Sequence, residues 1–105
     1  MRDEYRVERH DDHAVIYLPE KVFIPNSDGF KETLELLYDE GHDTIVLDCR
    51  NLKMFDTAGI SGVAVYQKKL KERGGELKII NVTHDYIKHL FSTIELHKIV
   101  EIQEV

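Results

Sequence analysis

Apolar residues recur along this chain at spacings that predict five β-strands. A strand shows either alternation of apolar and polar positions or a short, nearly continuous apolar run. Segments of these two kinds are residues 4–10, 13–18, 44–49, 76–82 and 98–102. Asp11 and Asp12 form a turn pair between the first two segments, which favours an antiparallel hairpin. The third segment has almost no polar position, as is typical of a strand buried on both faces of a sheet.

Three other segments carry apolar residues three and four positions apart, which is the spacing of one face of a helix. The apolar stripe of the first helix consists of Phe30, Leu34, Leu37 and Tyr38. Asn26 or Ser27 is its predicted N-terminal cap, and Gly41 supplies the left-handed residue that ends it. The second helix is predicted over 59–73 and stops at two glycines, and Thr83 is expected to cap a short third helix.

The predicted order is β-β-α-β-α-β-α-β, with a short extended piece over 22–24 after the hairpin. This alternation predicts an α/β fold with a mixed β-sheet packed with helices, and the length fits a single domain over 1–105. The inward face expected for the second helix consists of Ile60, Val63, Ala64, Tyr66 and Leu70. The residues expected in the core are Leu34, Leu37, Ile45, Leu47, Ile60, Val63, Leu70, Ile79, Ile80 and Leu90.

Charge is distributed unevenly along the chain. There are 14 Lys and Arg against 20 Asp and Glu, a formal net charge of −6. Residues 1–56 carry 14 acidic and 7 basic side chains, whereas residues 57–105 carry 6 and 7. Because binding to nucleic acid depends on cationic side chains that neutralise phosphates, we expect no nucleic-acid partner. The acidic half is either an ordinary solvated surface or a surface that steers a basic protein partner.

Sequence motifs of enzymes, metal sites and membrane segments are missing. There is no phosphate-binding glycine loop, nucleophile elbow or dinucleotide fingerprint, so we expect neither enzymatic activity nor a cofactor. The single cysteine, Cys49, is predicted to be buried and unreactive, and the six histidines lack the spacing of a metal site. No apolar run approaches the roughly 20 residues that cross a bilayer, and the start lacks an apolar signal segment. We therefore expect a cytoplasmic protein without membrane insertion.

One segment, residues 52–62, combines features that point to an interaction. An apolar strand end leads into Asp56 and Thr57, either of which can cap the helix that follows. The small residues of the first helical turn are Ala58, Gly59 and Gly62. A narrow first turn would let another molecule approach the helix start closely. The alternative is an ordinary helix cap without a partner.

The sequence Asp-Thr-Ala-Gly-Ile-Ser-Gly over 56–62 resembles the Asp-Ser/Thr-Ser/Ala-Gly-Leu/Ile signature of the STAS domain family, in particular its bacterial anti-sigma factor antagonists. The strand over 45–49, the Gly-Gly turn and strand over 74–80, and the helix and turn over 87–96 are similar to that family as well. The resemblance covers most of the chain and implies a single STAS-like domain. Because the sequence stops three residues after Ile102, we expect the family's usual C-terminal helix to be missing or very short.

The resemblance implies a role in partner switching. In such antagonists the hydroxyl residue after the signature Asp is phosphorylated, which points to Thr57 as the phosphorylation site, where Ser is commoner. The unphosphorylated protein binds a kinase-type anti-sigma factor, a serine/threonine kinase, and so frees the sigma factor for transcription. Phosphorylation by that kinase releases it, and a metal-dependent serine/threonine phosphatase restores binding. The alternative is a constitutive STAS assembly module of a signalling scaffold or of a membrane transport ATPase, with Thr57 as an interface residue.

The partner-binding surface implied by this resemblance continues along the second helix. Val65 is an apolar residue among charged ones, and it lies about two turns beyond Thr57 on the same side of the helix. We therefore expect Ser61, Val65 and Lys68 to extend the surface that Thr57 begins. The complete predicted surface consists of Asp56, Thr57, Ala58, Gly59, Ser61, Val65 and Lys68.

Overall fold

A computed structural model describes residues 5–104 of the chain. Its strands and helices are, in chain order, β1 (Arg6–Arg9), β2 (Ala14–Tyr17), β3 (Lys21–Val22), α1 (Ser27–Asp39), β4 (Thr44–Asp48), β5 (Met54–Phe55), α2 (Thr57–Glu72), β6 (Glu76–Val82), α3 (Asp85–Thr93) and β7 (Glu101–Glu104). Five strands form the main sheet in the spatial order β1-β2-β4-β6-β7, and β3 pairs in parallel with β5 in a second, two-stranded sheet.

One row of apolar side chains crosses all five strands of the main sheet. β1 is antiparallel to β2, whereas β2, β4, β6 and β7 run parallel to one another. The register aligns Val7, Ile16, Leu47, Ile79 and Ile102 from one edge to the other. The three central members are completely buried, and the two at the edge strands pack against the core. This row forms part of the sheet face against which the helices pack.

All three helices cover the same face of the main sheet. Each connection between neighbouring parallel strands contains a helix, and because such crossovers are right-handed, they place the helices on one side. The buried apolar side chains of the helices and of this sheet face form one cluster. Val46 and Ile80 point to the other face of the sheet and lie outside that cluster. No helix among the described residues is long and apolar enough to span a bilayer.

The predicted order of strands and helices is confirmed, with the short strands β3 and β5 as additions. Gly41 adopts the left-handed φ of +96° and ends the first helix as predicted. α2 begins at Thr57, two residues before its predicted start. The last strand begins at Glu101 and not at residue 98, because Leu96–Lys98 forms a 3₁₀ turn first. Residue 4, the predicted start of the first strand, lies outside the described residues.

Of the two other predicted helix caps, one occupies its predicted position and one is wrong, and the side chains of both bond elsewhere. Asn26 occupies the N-cap position of α1 as predicted, but its side chain forms no cap hydrogen bond with the helix. Its side-chain oxygen accepts a hydrogen bond from the N–H of Phe23 at 2.9 Å and so closes the turn before the helix. The cap position of α3 is occupied by His84 and not by Thr83. The Thr83 hydroxyl donates instead to the carbonyl oxygen of Arg50 at 3.0 Å. Both side chains therefore stabilise loops.

Most of the predicted core is confirmed. The buried members are Leu34, Leu37, Ile45, Leu47, Val63, Leu70 and Ile79. Ile60, Ile80 and Leu90 are only half-buried. Ile80 follows Ile79, whose side chain points to the helices, and the alternation of a strand therefore directs Ile80 to the open face of the sheet. Ile60 and Leu90 pack at the margin of the core.

The inward face of α2 differs from the predicted one at two positions. Ala64 is exposed, so its assignment to that face is wrong, and Gln67 is buried instead. The Gln67 side-chain oxygen accepts a hydrogen bond from the N–H of Leu77 at 2.7 Å, and its amide nitrogen donates to the carbonyl oxygen of Ile99. Gln67 thus fastens α2 to β6 and to the segment before β7, a role that a pattern of hydrophobicity does not reveal.

Candidate functional site

Asp56 holds the start of α2, the segment that the sequence singles out. It is the N-terminal cap of the helix and has an extended backbone, with φ −105° and ψ −170°. Its Oδ1 accepts hydrogen bonds from the N–H groups of Ala58 at 2.9 Å and Gly59 at 3.4 Å. These bonds satisfy backbone donors that a helix start leaves without an intrahelical partner. Of the two candidates, Asp56 is therefore the cap and Thr57 is the first residue of the helix.

The second oxygen of Asp56 reaches across to the loop before α1. Its Oδ2 accepts a hydrogen bond from the N–H of Ile24 at 3.0 Å, and the N–H of Asp56 donates to the carbonyl oxygen of Val22 at 3.1 Å. Ile24 is 71% exposed, so this bond holds an apolar side chain beside the start of α2. Sequence reasoning missed Ile24, because its only local signal is an isoleucine outside any amphipathic pattern.

The glycines of the first turns face the interior. A Cβ at Gly59 would lie 2.7 Å from the Phe55 ring, and one at Gly62 would lie 3.0 Å from the Phe30 ring. The two rings pack edge to face, with centroids 6.3 Å apart. The interpretation that these glycines leave room for another molecule is therefore wrong, because aromatic side chains of the core fill that room. Gly59 is buried, whereas its neighbour Ala58 is half-buried.

Four of the predicted surface residues form one exposed stripe along α2. They are Thr57, Ser61, Val65 and Lys68, which are all exposed. Their separations of four, four and three residues place them on one side of the helix. Ala64, which was predicted to be in the core, lies on this same exposed side. We call these five residues the α2 stripe; its first three turns carry no charge, and its only charged member is Lys68.

The hydroxyl group of Thr57 is available for chemistry. Thr57 is exposed, and among residues 5–104 nothing forms a hydrogen bond with its hydroxyl. The carboxylate of Asp56 forms no hydrogen bond with this hydroxyl; its two oxygens accept the backbone N–H groups on either side. The site therefore presents a free hydroxyl at the positive end of a helix dipole, next to a carboxylate that the backbone holds in place.

A second polar cluster lies at the end of β4, but it is already satisfied. Asp48 is buried and accepts hydrogen bonds from Arg50, at 2.8 Å to Nη2, and from Asn81, at 3.0 Å to Nδ2. Burial pushes the pKa of Asp48 upward, but these hydrogen bonds outweigh it and hold the pKa below its ordinary value. Burial, helped by the charge of Asp48, raises the pKa of the Cys49 thiol and disfavours the reactive thiolate.

The histidines do not assemble a metal site in the described part of the chain. Within residues 5–104, no three His, Cys, Asp or Glu side chains are placed to hold a metal ion. At the hairpin turn, the rings of His10 and His13 stack with centroids 4.5 Å apart. Nδ1 of His13 lies 2.7 Å from Oδ1 of Asp12. This contact orders the turn between β1 and β2.

Comparison with solved structures identifies the fold. The unphosphorylated form of the anti-sigma factor antagonist SpoIIAA is 14% identical to this chain with a TM-score of 0.82, and the match covers 96% of this chain and 87% of SpoIIAA. The phosphorylated form of the Bacillus cell fate determinant SpoIIAA is 14% identical with a TM-score of 0.74, over 96% and 90% of the two chains. TM1081 of Thermotoga maritima, assigned as an anti-sigma factor antagonist, is 19% identical with a TM-score of 0.84, over 99% and 89%.

Sequence comparison identifies the family. No curated protein sequence matches this chain at a significant level. The family model of the STAS domain, however, matches residues 4–105. It includes the segment over 56–62 that carries the resemblance described above. This chain therefore belongs to the STAS domain family, and it has the fold of the anti-sigma factor antagonists.

Proposed function

We propose that this chain is an anti-sigma factor antagonist that binds a kinase-type anti-sigma factor through the start of α2 and is released when Thr57 is phosphorylated. The observation that carries the proposal is the exposed Thr57 hydroxyl, which is without a hydrogen-bond partner in the described structure and begins the uncharged part of the α2 stripe. In this role the chain regulates sigma-factor-dependent transcription in the cytoplasm and catalyses no reaction itself.

The contact surface we propose consists of the α2 stripe together with Ile24, Asp56 and Ala58. Ser61, Ala64 and Val65 are short side chains, so a partner helix or loop can approach α2 closely. Ile24 adds an apolar side chain at one end, and Lys68 adds a positive charge at the other. Gly59 contributes through the shape of the turn, because it is buried against Phe55.

Phosphorylation is expected to act through local charge and to leave the fold intact. The kinase supplies ATP; the Thr57 oxygen attacks the γ-phosphorus, ADP leaves, and the hydroxyl proton passes to a base of the kinase. The phosphate adds about −1.5 to −2 charges at pH 7. The N–H groups of Ala58 and Gly59 are already bonded to Asp56, so the phosphate stays in water beside that carboxylate. A partner that covers Thr57 would have to desolvate this doubly negative group, which is costly without a matching cation.

Reversal requires hydrolysis of the phosphate ester, for which we propose a metal-dependent serine/threonine phosphatase. Thr57 is exposed at the first residue of α2, so a phosphatase can reach a phosphate group there without unfolding the helix. The competing hypothesis is a constitutive STAS assembly module of a scaffold or a transport ATPase. In that case the same surface binds a partner, but Thr57 carries no phosphate.

The experiment incubates the chain with the serine/threonine kinase-type anti-sigma factor of the same genome and ATP, and then measures intact mass. We expect addition of one phosphate group to the wild type and to the control variant Ser61→Ala, and none to Thr57→Ala. Binding measured without ATP should be retained by all three proteins. Phosphate on Thr57→Ala would contradict the assignment of the site, and stable binding without any phosphate transfer would favour the assembly module.

A further inference from the structure

Helix α1 exposes an apolar side chain within acidic surroundings. Leu36 is 51% exposed. On a helix the nearest surface neighbours lie three and four positions away, and here they are Glu32, Thr33, Asp39 and Glu40. The three carboxylate residues among them are all exposed. Leu36 is therefore an exposed apolar residue with acidic neighbours on its helix, one of which, Glu40, is paired with Arg9.

Leu36 also lines a groove between α1 and β1. The groove has a volume of about 410 Å³, and Val7 and Thr33 contribute to its wall. Arg9 lines the groove too, but its guanidinium is paired with Glu40, with Nε 2.8 Å from Oε1. Arg9 and Glu40 therefore neutralise each other at the rim, and the groove presents an apolar wall next to the exposed side of α1.

Part of the negative charge of α1 has no ion-pair partner among residues 5–104. Together with the following Glu40, the helix carries five acidic residues and one lysine, Lys31. Asp28, Glu35 and Asp39 form no ion pair with any described residue. Such a surface attracts cationic partners and repels nucleic acid and anionic membranes.

We propose that the groove between α1 and β1 binds a basic amphipathic helix of a partner protein. An apolar side chain of that helix would pack on Leu36 and Val7. Lysine or arginine residues beside it would pair with those carboxylates of α1 that form no ion pair with a described residue. This docking surface uses neither Thr57 nor the α2 stripe. This proposal is therefore independent of the proposed function, and each can be tested without the other.

The test uses a fluorescently labelled peptide that consists of leucine and lysine, with the leucines three and four positions apart. The peptide has about 18 residues, which is long enough to form a helix. Fluorescence anisotropy at physiological ionic strength measures its binding to the whole chain. We expect binding of this peptide and none of a matched leucine-glutamate peptide. Leu36→Ser should weaken binding at least about tenfold. The control Val65→Ser, which removes an equally exposed apolar residue from α2, should leave the affinity within about twofold.

Further outcomes decide whether the peptide recognises the groove or only net charge. Both variants change exposed residues, and circular dichroism should show that both fold as the wild type does. When the leucine-lysine peptide is added, we expect the largest changes in backbone NMR chemical shift within residues 33–40. Equal affinity of the wild type and Leu36→Ser, no binding at all, or shifts confined to α2 would each overturn the proposal.

Discussion

Leu36 on α1 and Val65 on α2 are comparable residues in contrasting surroundings. Both are apolar, and they are 51% and 46% exposed on two helices of one layer. The helical neighbours of Leu36 include three carboxylates, whereas those of Val65 are Ser61, Gly62, Lys68 and Lys69. The comparison teaches that an exposed apolar residue is best interpreted together with its neighbours, because their charge decides which partners can approach. The two surfaces that we propose on this small domain are therefore separate.

The largest expected effect follows from breaking the packing that holds the two helices together. Phe30 of α1 is completely buried and lies against Gly62 of α2. Phe30→Ala should lower the free energy of unfolding by about 3–5 kcal/mol, and both surfaces should then lose their partners. Urea denaturation measures this change. Leu36→Ala, on the same helix but exposed, is the control and should stay within about 0.5 kcal/mol; equal losses would mean that the burial pattern of α1 is wrong.

The next effect comes from a negative charge introduced at Thr57, which should weaken binding at the α2 stripe and leave binding at the groove between α1 and β1 unchanged. Thr57→Glu should weaken binding of the anti-sigma factor about a hundredfold, which corresponds to about 2.7 kcal/mol. Thr57→Ala should bind it permanently, because no phosphate can form. Titration calorimetry measures both affinities. Neither variant should change the affinity of the leucine-lysine peptide for α1, and a parallel loss of that affinity would mean that the two surfaces are one.

Val65 tests how far the α2 stripe extends toward the end of the helix. Val65→Asp adds a negative charge at an exposed position, so stability should stay within about 1 kcal/mol. Binding of the anti-sigma factor should weaken about tenfold, or about 1.4 kcal/mol. The matched variant Leu36→Asp should leave that binding unchanged. Unchanged affinity of Val65→Asp would remove this residue from the proposed contact surface.

The smallest effect concerns Asp56, which links the start of α2 to the loop before α1. Asp56→Ala removes the helix cap and should cost about 1 kcal/mol of unfolding free energy. It also releases the N–H of Ile24, so binding of the anti-sigma factor should weaken as well. Asp56→Asn keeps an acceptor oxygen and should recover much of the stability. Thermal denaturation of the wild type and both variants checks this order of stability. Equal stability of Asp56→Ala and the wild type would show that the cap contributes little.

Features with a local cause were predictable from the sequence. The left-handed stop at Gly41 and the apolar strand over 44–49 depend on a few adjacent residues. The same holds for the cap at Asp56, for which Thr57 had been the alternative. Helical spacing also predicted that Thr57, Ser61, Val65 and Lys68 share one exposed side of α2. The proposed role of Thr57, in contrast, came from family resemblance and not from physical chemistry.

Features that depend on tertiary contacts were not predictable. Ile24 and Asp56 are 32 residues apart and meet only in the folded chain. The glycines at 59 and 62 suggested open space, but the rings that fill this space belong to β5 and α1. Gln67 is buried because the backbone partners of its amide lie on other elements. A pattern along the sequence has no information about these distant partners.

The buried Cys49 is a natural probe for local opening of the chain at the end of β4. Its side chain is almost completely buried, and its N–H donates to the carbonyl oxygen of Ile80 on β6 at 2.9 Å. A thiol reagent can modify it only while the end of β4 is open, so the labelling rate measures the free energy of that opening. Because Cys49 is the only cysteine, the signal comes from one place. A partner that binds only while the end of β4 is closed stabilises the closed state, so its capture can be followed as slower labelling, without any engineered probe.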